Sequence, residues 1–417
     1  MKLKDVTTII SGGTPSTKKA EFWNGSISWI TPKDLSGYNK MYISKGERNI
    51  TDSGLKNSSA YLIPKGSVLF SSRAPIGYVA IANNELCTNQ GFKNFICDES
   101  KIDNIYLYYW LKNNVKTIEE FASGSTFKEI SASKISNIEI ELPSLTTQKK
   151  ISNILSSLDK KIELNNQINN NLQELINNTF IEYFVNYNVD NNNLECVETE
   201  SGIIPINWYY GTLADIVEFS NGYGFDSKKM LEKPEKDSYA VFKMGNINIG
   251  GGINKDKTKS WIKRTDCENI EKFIAKKGDI LMCMTDMKNS GNPLLGHTAL
   301  IDKDGEFVIN QRVGILRCTK GISYEYVYTL SNLDFFINDL RSRANSGVQV
   351  NLTTSGICET RLLIPSKDIL KKFDLIAKPL YEKKFVLMQE NETLENLRDT
   401  LLPRLMNGQI DLDNIKI

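Results

Sequence analysis

The feature that most constrains the fold of this 417-residue chain is an internal duplication with a long period. The spacing between equivalent residues is 212 at first and settles at 221 to 223, so we expect a short insertion in the second copy near residues 286–293. Repetition in constant order favours one domain occurring twice over two unrelated domains. The matching blocks are residues 65–70 with 277–282, 89–90 with 310–311, 123–124 with 346–347, 139–144 with 361–366, and 149–151 with 371–373.

Each copy begins with a mixed globular part, which we call a head. Short β-type runs between Gly, Pro and Asn turns predict strands in the first head. A helical stretch follows in each copy, and a last strand is expected to end at Pro143 or Pro365. The predicted strands are 28–30, 68–71, 78–81 and 95–97, and the predicted helical stretches are 105–121 and 324–343.

Each copy is predicted to end in a long helix, and in copy one no Pro or Gly occurs from Thr147 to Phe184. In copy two, apolar residues recur every seven positions, which is typical of a coiled-coil seam, and Ile376 and Leu397 are expected at the complementary position. Asn165 aligns with Leu387, so one layer is half polar. The alternative is a single amphipathic helix packed on its own head. The predicted seam residues are Ile151, Leu158, Leu172, Leu175, Phe373, Leu380, Leu387, Leu394 and Leu401.

The predicted fold class is α+β, with two similar mixed α/β heads separated by two long helices that form an antiparallel coiled coil with pseudo-twofold symmetry. We expect the heads at opposite ends of a rod about 55 Å long. This suits a duplex whose major groove recurs every 34–36 Å. The predicted boundaries are 1–145 for head one, 146–185 for the central helix, 186–366 for a linker and head two, and 367–417 for the last helix. The Asn-rich and acidic start of that linker, residues 186–205, is predicted to be a disordered spacer.

Composition indicates a protein without a metal or membrane role. Basic and acidic residues nearly cancel, at 51 and 50, so net charge indicates no particular partner. Seven cysteines without a CxxC pair predict reduced thiols in the cytoplasm, and the single histidine, His297, is expected in a turn or core. We expect no signal peptide, because the first ten residues lack its apolar core, and no membrane helix, because no apolar run approaches the length that one needs.

The chain resembles the specificity (S) subunits of type I restriction-modification systems. The residues that carry the resemblance are 11–16, 65–69, 88–92, 142–143 before 148–151, and 397–408. It covers nearly the whole chain, in the order target-recognition domain, helix, target-recognition domain, helix. Copy two departs from the pattern where Asn310-Gln311-Arg312 replaces Asn89-Gln90-Gly91.

The resemblance implies a non-catalytic subunit of a DNA methyltransferase and restriction complex. Each target-recognition domain would read one half of a split, asymmetric site in double-stranded DNA, and the helices would set the spacing. Two methyltransferase subunits would dock on the helices, and restriction (translocase) subunits are possible further partners. No cofactor is expected on this chain, since the family's S-adenosylmethionine, ATP and Mg²⁺ belong to those partners.

The residues themselves argue against catalysis by this chain. The Gly-rich run 219–224 aligns with a loop of copy one, and the run 292–295 lacks the aromatic residue that would stack a flipped base. No GxxxxGK[ST] loop is present, and Asp279 and Asp286 have no counterpart in copy one. We therefore predict no catalytic residue and no metal ligand.

Candidate DNA contacts are cations and amides expected on turns, because cations bind phosphate and Arg, Lys, Asn and Gln read base edges. A solvated cation or a turn cap is the competing interpretation for each of them. Asn89 and Gln90 are more simply explained as backbone partners. The candidates are Thr14, Lys18, Lys33, Arg73, Gln90 and Lys128 in copy one, and Lys228, Lys243, Lys288, Arg312 and Gln349 in copy two.

Two other functions remain open at this stage. A single-chain DNA methyltransferase would need a donor site that the sequence does not display. A coiled-coil scaffold that binds only proteins would show no salt-dependent affinity for DNA, whereas a DNA-reading subunit would.

Overall fold

The computed structural model describes residues 1–124, 128–287, 293–319, 321–345, 349–410 and 412. The chain divides into two compact units. Unit 1 comprises Met1–Gln167 and Met388–Ile417, and unit 2 comprises Ile168–Leu387. Each unit therefore contains one head and part of both long helices.

Unit 1 is built on a five-stranded sheet and a three-stranded sheet. In the larger sheet, Phe92–Cys97 lies between the first strand and Val68–Ser72 and is antiparallel to both. The buried side chains of these strands pack on the helix Asn104–Asn113. The larger sheet runs Thr7–Ser11, Phe92–Cys97, Val68–Ser72, Ile76–Ala82, Tyr42–Ile43, and the smaller runs Arg48–Ile50, Trp23–Ile30, Cys87–Thr88.

Unit 2 repeats this plan with its own strands. Its four-stranded sheet places Val313–Cys318 between the first strand and Ile280–Cys283, again antiparallel to both. In its three-stranded sheet the middle strand pairs antiparallel on one side and parallel on the other, as in unit 1. The sheets run Val217–Asn221, Val313–Cys318, Ile280–Cys283, Thr298–Leu300, and Trp261–Lys263, Ser238–Phe242, Phe307–Ile309. The matching strand order confirms the duplication predicted from the sequence.

Three of the shorter helices of unit 1 also have counterparts in unit 2. The predicted helical stretch of each head is broken into two helices, after Asn113 in unit 1 and after Ser331 in unit 2. Residues with a hydrogen-bonding side chain cap several of them, as Asp103 and Ser323 do at equivalent places. The short helices are Leu3–Val6, Asp52–Lys56, Asn104–Asn113, Val115–Glu120 and Ala132–Ser136 in unit 1, and Tyr324–Ser331, Asp334–Ser342 and Thr354–Cys358 in unit 2.

Two local predictions were wrong. The last strand of the head exists in unit 2, where Arg361–Ile364 pairs with Tyr209–Thr212, but its counterpart in unit 1 makes only a bridge between Lys2 and Glu139. The supposed spacer, residues 186–205, instead forms two hairpins, Asn188–Val189 with Asn192–Asn193 and Cys196–Thr199 with Gly202–Pro205. Asp190 and Asn191 both have positive φ, the turn that favours a two-residue hairpin loop. The Asn-rich composition therefore encodes a turn.

The two long helices span Leu145–Phe184 and Lys367–Met406, so the predicted helices are confirmed. Within unit 1 they pair antiparallel. Arg398 lies 2.7 Å from the Asp159 carboxylate, and the Asn165 amide donates to Asn391 at 2.9 Å. The fully buried Ile151 joins the core of head one together with Leu405.

Within unit 2 the helices also pair antiparallel. Lys384 donates to Gln173, and the Phe180 ring lies 5.8 Å from that of Phe373. Since the residue number falls along one helix as it rises along the other in each unit, the alternative of a lone helix on each head is rejected. Leu387 is buried as predicted, whereas Leu172 and Leu380 are half-buried.

One column of the seam differs from the prediction. Ile376 and Leu397 are 37% and 45% exposed, so they are not the complementary seam positions. Those positions instead belong to a second seven-residue series that begins at Leu370 and ends at Leu405, both buried. Its inner members are small or polar, which hides the series from a search for apolar residues. We call the four inner residues the polar column: Ala377, Lys384, Asn391 and Arg398.

The first helix shows a similar shift. Leu175 is 50% exposed and its neighbour Ile176 is fully buried, so Ile176 occupies the position predicted for Leu175. Leu158, Leu394 and Leu401 are half-buried, which fits positions at the margin of the seam. Among the described residues, neither long helix nor any other has the length and apolar character required to cross a membrane.

Candidate nucleic-acid interface

In unit 1, two loops that carry candidate residues lie against each other. The amide of Gly13 donates to Thr88 O at 2.9 Å, and that of Gly12 donates to Phe92 O at 3.3 Å. A Cβ at Gly12 would lie 2.0 Å from Asn89 O, so only glycine permits this approach. We call residues 11–16 and 88–91 the paired loops of unit 1.

The paired loops bring two predicted residues together. The Thr14 hydroxyl donates to the Gln90 side-chain carbonyl, and both side chains are accessible to solvent. Asn89 instead accepts the Gly91 amide at 2.9 Å, as the interpretation of this residue as a backbone partner expected. Gln90 keeps its amide NH₂ for a ligand, since its contact with Thr14 uses the carbonyl oxygen.

Two buried tryptophans hold the first of these loops. The indole of Trp29 donates to Gly13 O at 2.9 Å, and that of Trp23 donates to Ser16 O at 3.1 Å. The guanidinium of Arg48 lies 3.5 Å from the centroid of the Trp23 ring. The sequence analysis missed Arg48, because nothing in the spacing of Trp23 and Arg48 indicates that they meet; only the pairing of their two strands brings them together.

The candidate cations Lys18 and Lys33 differ in whether an acidic side chain neutralises their charge. Lys18 is exposed on the loop that follows the paired-loop segment. Lys33 forms an ion pair with Glu47 at 2.8 Å, and this hydrogen bond raises the lysine pKa above its usual value. The charge of Lys33 is therefore already partly neutralised by an acid.

Arg73 and Lys128 line one cavity of about 440 Å³, together with Glu119 and Glu129. Arg73 lies 3.3 Å from Glu129, which also lies 4.0 Å from the buried amine of Lys93. Burial lowers the pKa of Lys93, Glu129 opposes that change, and Arg73 adds to it. The structure thus brings the predicted residues Arg73 and Lys128 together at one cavity. Neither Thr14 nor Gln90 lines that cavity.

Unit 2 has paired loops of the same design, residues 221–226 and 309–312. The Gly222 amide donates to Val313 O at 3.0 Å, and the Tyr223 amide donates to Ile309 O at 2.8 Å. A Cβ at Gly222 would lie 2.2 Å from Asn310 O, which reproduces the close approach seen at Gly12. Tyr223 is 39% exposed, so part of an aromatic side chain is accessible here.

The candidate residues of unit 2 are less concentrated. Arg312 is exposed at the end of the second paired loop, and Lys228 is exposed in a short turn. Lys243 donates to Ser260 at 2.8 Å, which gives it a structural partner. Gln349 lies in a strand that pairs with Thr285–Met287. Lys288 lies outside the described residues.

Asp279 and His297, two residues with side chains capable of catalytic chemistry, have structural partners instead. Both oxygens of the Asp279 carboxylate accept hydrogen bonds from Arg317 at 2.8 Å. His297 is buried, burial lowers its pKa, and its Nδ1 accepts the Gly250 amide at 3.3 Å. Within the described part of the chain, no group of three or more His, Cys, Asp or Glu residues is placed to hold a metal ion.

Comparison with known proteins identifies what these duplicated heads are. The family model described as the type I restriction modification DNA specificity domain matches residues 1–174 and again 205–392. The chain belongs to this DNA specificity family. Its two matches correspond to the two copies of the duplication, and the role of such a protein is to direct modification to DNA rather than to catalyse it.

Two curated relatives extend along nearly the whole specificity protein. The MjaIX specificity subunit of Methanocaldococcus jannaschii is 31% identical over 421 residues, which is 99% of this chain and 94% of the relative. The HindI specificity subunit of Haemophilus influenzae is 25% identical over 418 residues, covering 87% and 90% of the two chains. The crystal structure of a type I S subunit from M. genitalium has a TM-score of 0.59 at 18% identity and covers 97% and 95%, which shows the shared fold.

Proposed function

We propose that the chain is the DNA-reading subunit of a type I restriction-modification complex and that each head recognises one half of a split, asymmetric target. The observation that carries the proposal is the duplicated pair of loops. Each head repeats the same glycine-dependent approach of two loops, at Gly12 and at Gly222. At equivalent positions the side chains differ, with Gly13 and Gly91 in one head where the other has Tyr223 and Arg312, while Gln90 and Gln311 match. Equal scaffolds with unequal loops suit two different half-sites.

The candidate contacts divide by the kind of DNA group that each would bind. Amides and arginines read base edges, so Gln90, Arg312 and Gln349 are proposed for bases. The lysines, among them Lys18, Lys128, Lys228, Lys243 and Lys288, are proposed for phosphates, together with Lys33 in weaker form because of Glu47. Arg73 is proposed for a phosphate at the cavity that it lines with Lys128.

The proposed partners are two methyltransferase subunits docked on the long helices, with restriction (translocase) subunits joining that assembly. S-adenosylmethionine, ATP and Mg²⁺ would be held by those partners. The paired helices support a spacer role, because polar residues in the seam, such as the buried Asn391 and the half-buried Arg398, fix the register of a coiled coil. A fixed register would fix the distance between half-sites.

The decisive experiment exchanges one head and sequences the methylome. The chain is expressed with its methyltransferase partner, and residues 1–145 are replaced by the same segment of another family member. One half of the methylated motif is expected to change while the other half and the spacing stay constant. A change in both halves, or in neither, would contradict the assignment of one half-site to each head.

The two alternative functions give different results in simpler assays. Methylation of DNA by the purified chain with added S-adenosylmethionine alone would favour a single-chain methyltransferase. DNA affinity that does not fall as salt is added would favour a scaffold that binds only proteins. Loss of a partner from the Leu387→Asp variant, whose substitution places a carboxylate at a position 3% exposed, would support docking on the helices.

A further inference from the structure

We propose that Arg48 reads a guanine in the half-site bound by head one. This inference rests on the proposed function and deepens it by naming a specificity-determining residue. Arg48 is exposed at the start of the edge strand Arg48–Ile50, opposite Trp29 in the register of the smaller sheet. Arginine is the residue that most often makes a bidentate contact with guanine O6 and N7.

The first argument is that Arg48 is already oriented. Its guanidinium lies 3.5 Å from the centroid of Trp23 and 5.9 Å from that of Trp29. Both rings are almost fully buried, with 6% and 4% of their surfaces exposed, and they contact edge to face at 5.0 Å. A planar cation stacked on a fixed ring presents its N–H edge, rather than its face, to a ligand. Stacking also lowers the entropy lost when a flexible side chain binds.

The second argument concerns charge. The nearest acid along the chain, Glu47, is bound to Lys33 at 2.8 Å, and its backbone amide is held by Asp34 at 2.7 Å. Among the residues that the structure describes, Arg48 forms no ion pair. A guanidinium that is held on aromatic rings and has no counterion can bind an external hydrogen-bond acceptor without first breaking an ion pair.

The third argument is position. The tryptophans that support Arg48 are the same ones that fix the paired loops, through Gly13 and Ser16. Those loops carry Thr14 and Gln90, which contact each other. Arg48 therefore belongs to the same connected group of side chains as the two candidates for base contact, and one duplex edge can meet all three.

The test compares Arg48→Lys with a matched control. Lysine keeps the charge and the aliphatic stem but loses the two-pronged edge, so it separates base reading from phosphate binding. Arg264 is the control, because it also stacks on an aromatic ring, Tyr239, at 4.1 Å, but has an acidic partner in Asp237. Each full-length variant is expressed with its methyltransferase partner, and the methylome is sequenced.

We expect Arg48→Lys to lower discrimination roughly 10-fold at a single G·C pair of the half-site that the exchange of residues 1–145 assigns to head one. Arg264→Lys should leave that half-site unchanged. Binding of the purified complex to duplexes with each base pair of that half-site substituted gives a second readout, and thermal unfolding verifies that the variant is folded.

An unchanged motif in Arg48→Lys would reject the inference and leave the proposed function intact. A uniform loss of methylation at every site, with the motif preserved, would also reject it, because that is the result of a lost phosphate contact or a weakened fold. If the wild-type complex methylated no defined motif at all, the proposed function would fail and the inference with it.

Discussion

The two units attach their heads to the long helices at equivalent positions but with the chemical roles exchanged. In unit 1, Asp103 on the head accepts a hydrogen bond from Ser152 on the first helix at 2.5 Å. In unit 2, Ser323 on the head donates to Asp374 on the second helix at 2.5 Å. The duplicated contact thus keeps its position and geometry while its donor and acceptor change sides.

A second contact shows the same exchange. In unit 1, the Tyr109 hydroxyl of the head donates to Asp159 of the helix at 2.5 Å, and in unit 2 Tyr381 of the helix meets Thr329 of the head at 2.9 Å. The tyrosine has moved from the head to the helix. The comparison shows that each contact between head and helix keeps a donor paired with an acceptor. Either the head or the helix can supply the donor.

The units differ more in what surrounds these pairs. Unit 2 packs a group of aromatic rings between helix and head, in which Phe373 contacts Phe180 and Phe184 with centroids 5.8 and 5.2 Å apart. At the equivalent position unit 1 has Ile151. Unit 1 relies more on the ion pair of Asp159 with Arg398.

The largest expected effect follows from that aromatic group. Phe373 is fully buried, so Phe373→Ala should destabilise unit 2 by about 3–5 kcal/mol through lost contacts and a cavity. Hydrogen exchange should show the loss of protection in unit 2. Ile151→Ala in unit 1 is the matched control and should cost less, about 2–3 kcal/mol. Equal losses would mean that the aromatic group adds nothing to the shared join.

Exchanging the serine and the aspartate between head and helix in unit 1 tests the comparison directly. Ser152→Asp alone would place two carboxylates in contact and should destabilise the protein by about 2 kcal/mol. Adding Asp103→Ser recreates the arrangement of unit 2 and should recover most of that loss, as chemical denaturation would measure.

Two controls refine this test. The single variant should regain stability at low pH, because a protonated carboxyl group can donate to its neighbour. A double variant as unstable as Ser152→Asp alone would show that the two joins are not interchangeable.

The hydrogen bonds made by the hydroxyl groups of Tyr109 and Tyr381 should contribute differently to the free energy of unfolding. Tyr109→Phe removes a hydrogen bond to a charged group and should cost about 1.5 kcal/mol. Tyr381→Phe removes a neutral bond, and Thr329 still donates to Glu325 O at 2.6 Å, so about 0.5 kcal/mol is expected. Thermal unfolding of both variants checks the order, and the reverse order would show that Asp159 is satisfied by Arg398 alone.

The smallest expected effect is the pH dependence that Lys384 gives to the free energy of unfolding. Burial lowers the pKa of Lys384 to about 8, whereas an unfolded lysine has a pKa of about 10.4. Between these values the unfolded chain holds a proton that the folded chain has released, so the lysine makes stability rise with pH in that window and contributes no slope below it. At the aligned position unit 1 has Ile162.

Lys384→Ile should therefore remove this rise while leaving stability at pH 7 equal to or higher than that of the wild type. Unfolding in urea from pH 7 to 10.5, compared with the wild type, measures the difference. A wild-type slope that persists in the variant would assign the rise to another group.

The sequence predicted the duplicated architecture because apolar residues and glycine turns recur in order. It also predicted both long helices, since Pro and Gly are absent from the first and the seven-residue step is visible in the second; the second helix ends at Met406, before the boundary of 417 predicted for it. It missed the polar column because Lys384, Asn391 and Arg398 look like surface residues until their partners on the other helix are known.

The candidate site was less accessible to prediction for the same physical reason. Thr14 and Gln90 were chosen separately, and their contact depends on a glycine that admits a neighbouring carbonyl. Arg48 resembles any surface arginine, and only strand pairing places it on Trp23. Contacts between distant segments define this site, and local patterns do not report them.

The division of the chain into units has a consequence for its synthesis. Unit 2 is one continuous segment, whereas unit 1 joins Met1–Gln167 to Met388–Ile417. Head one and the first helix are synthesised before unit 2, whereas Leu405, which packs in the same core as Ile151, is synthesised after unit 2. Unit 2 can therefore complete its folding during translation, while the apolar residues of the first helix in unit 1 remain uncovered until the segment Met388–Ile417 has been synthesised.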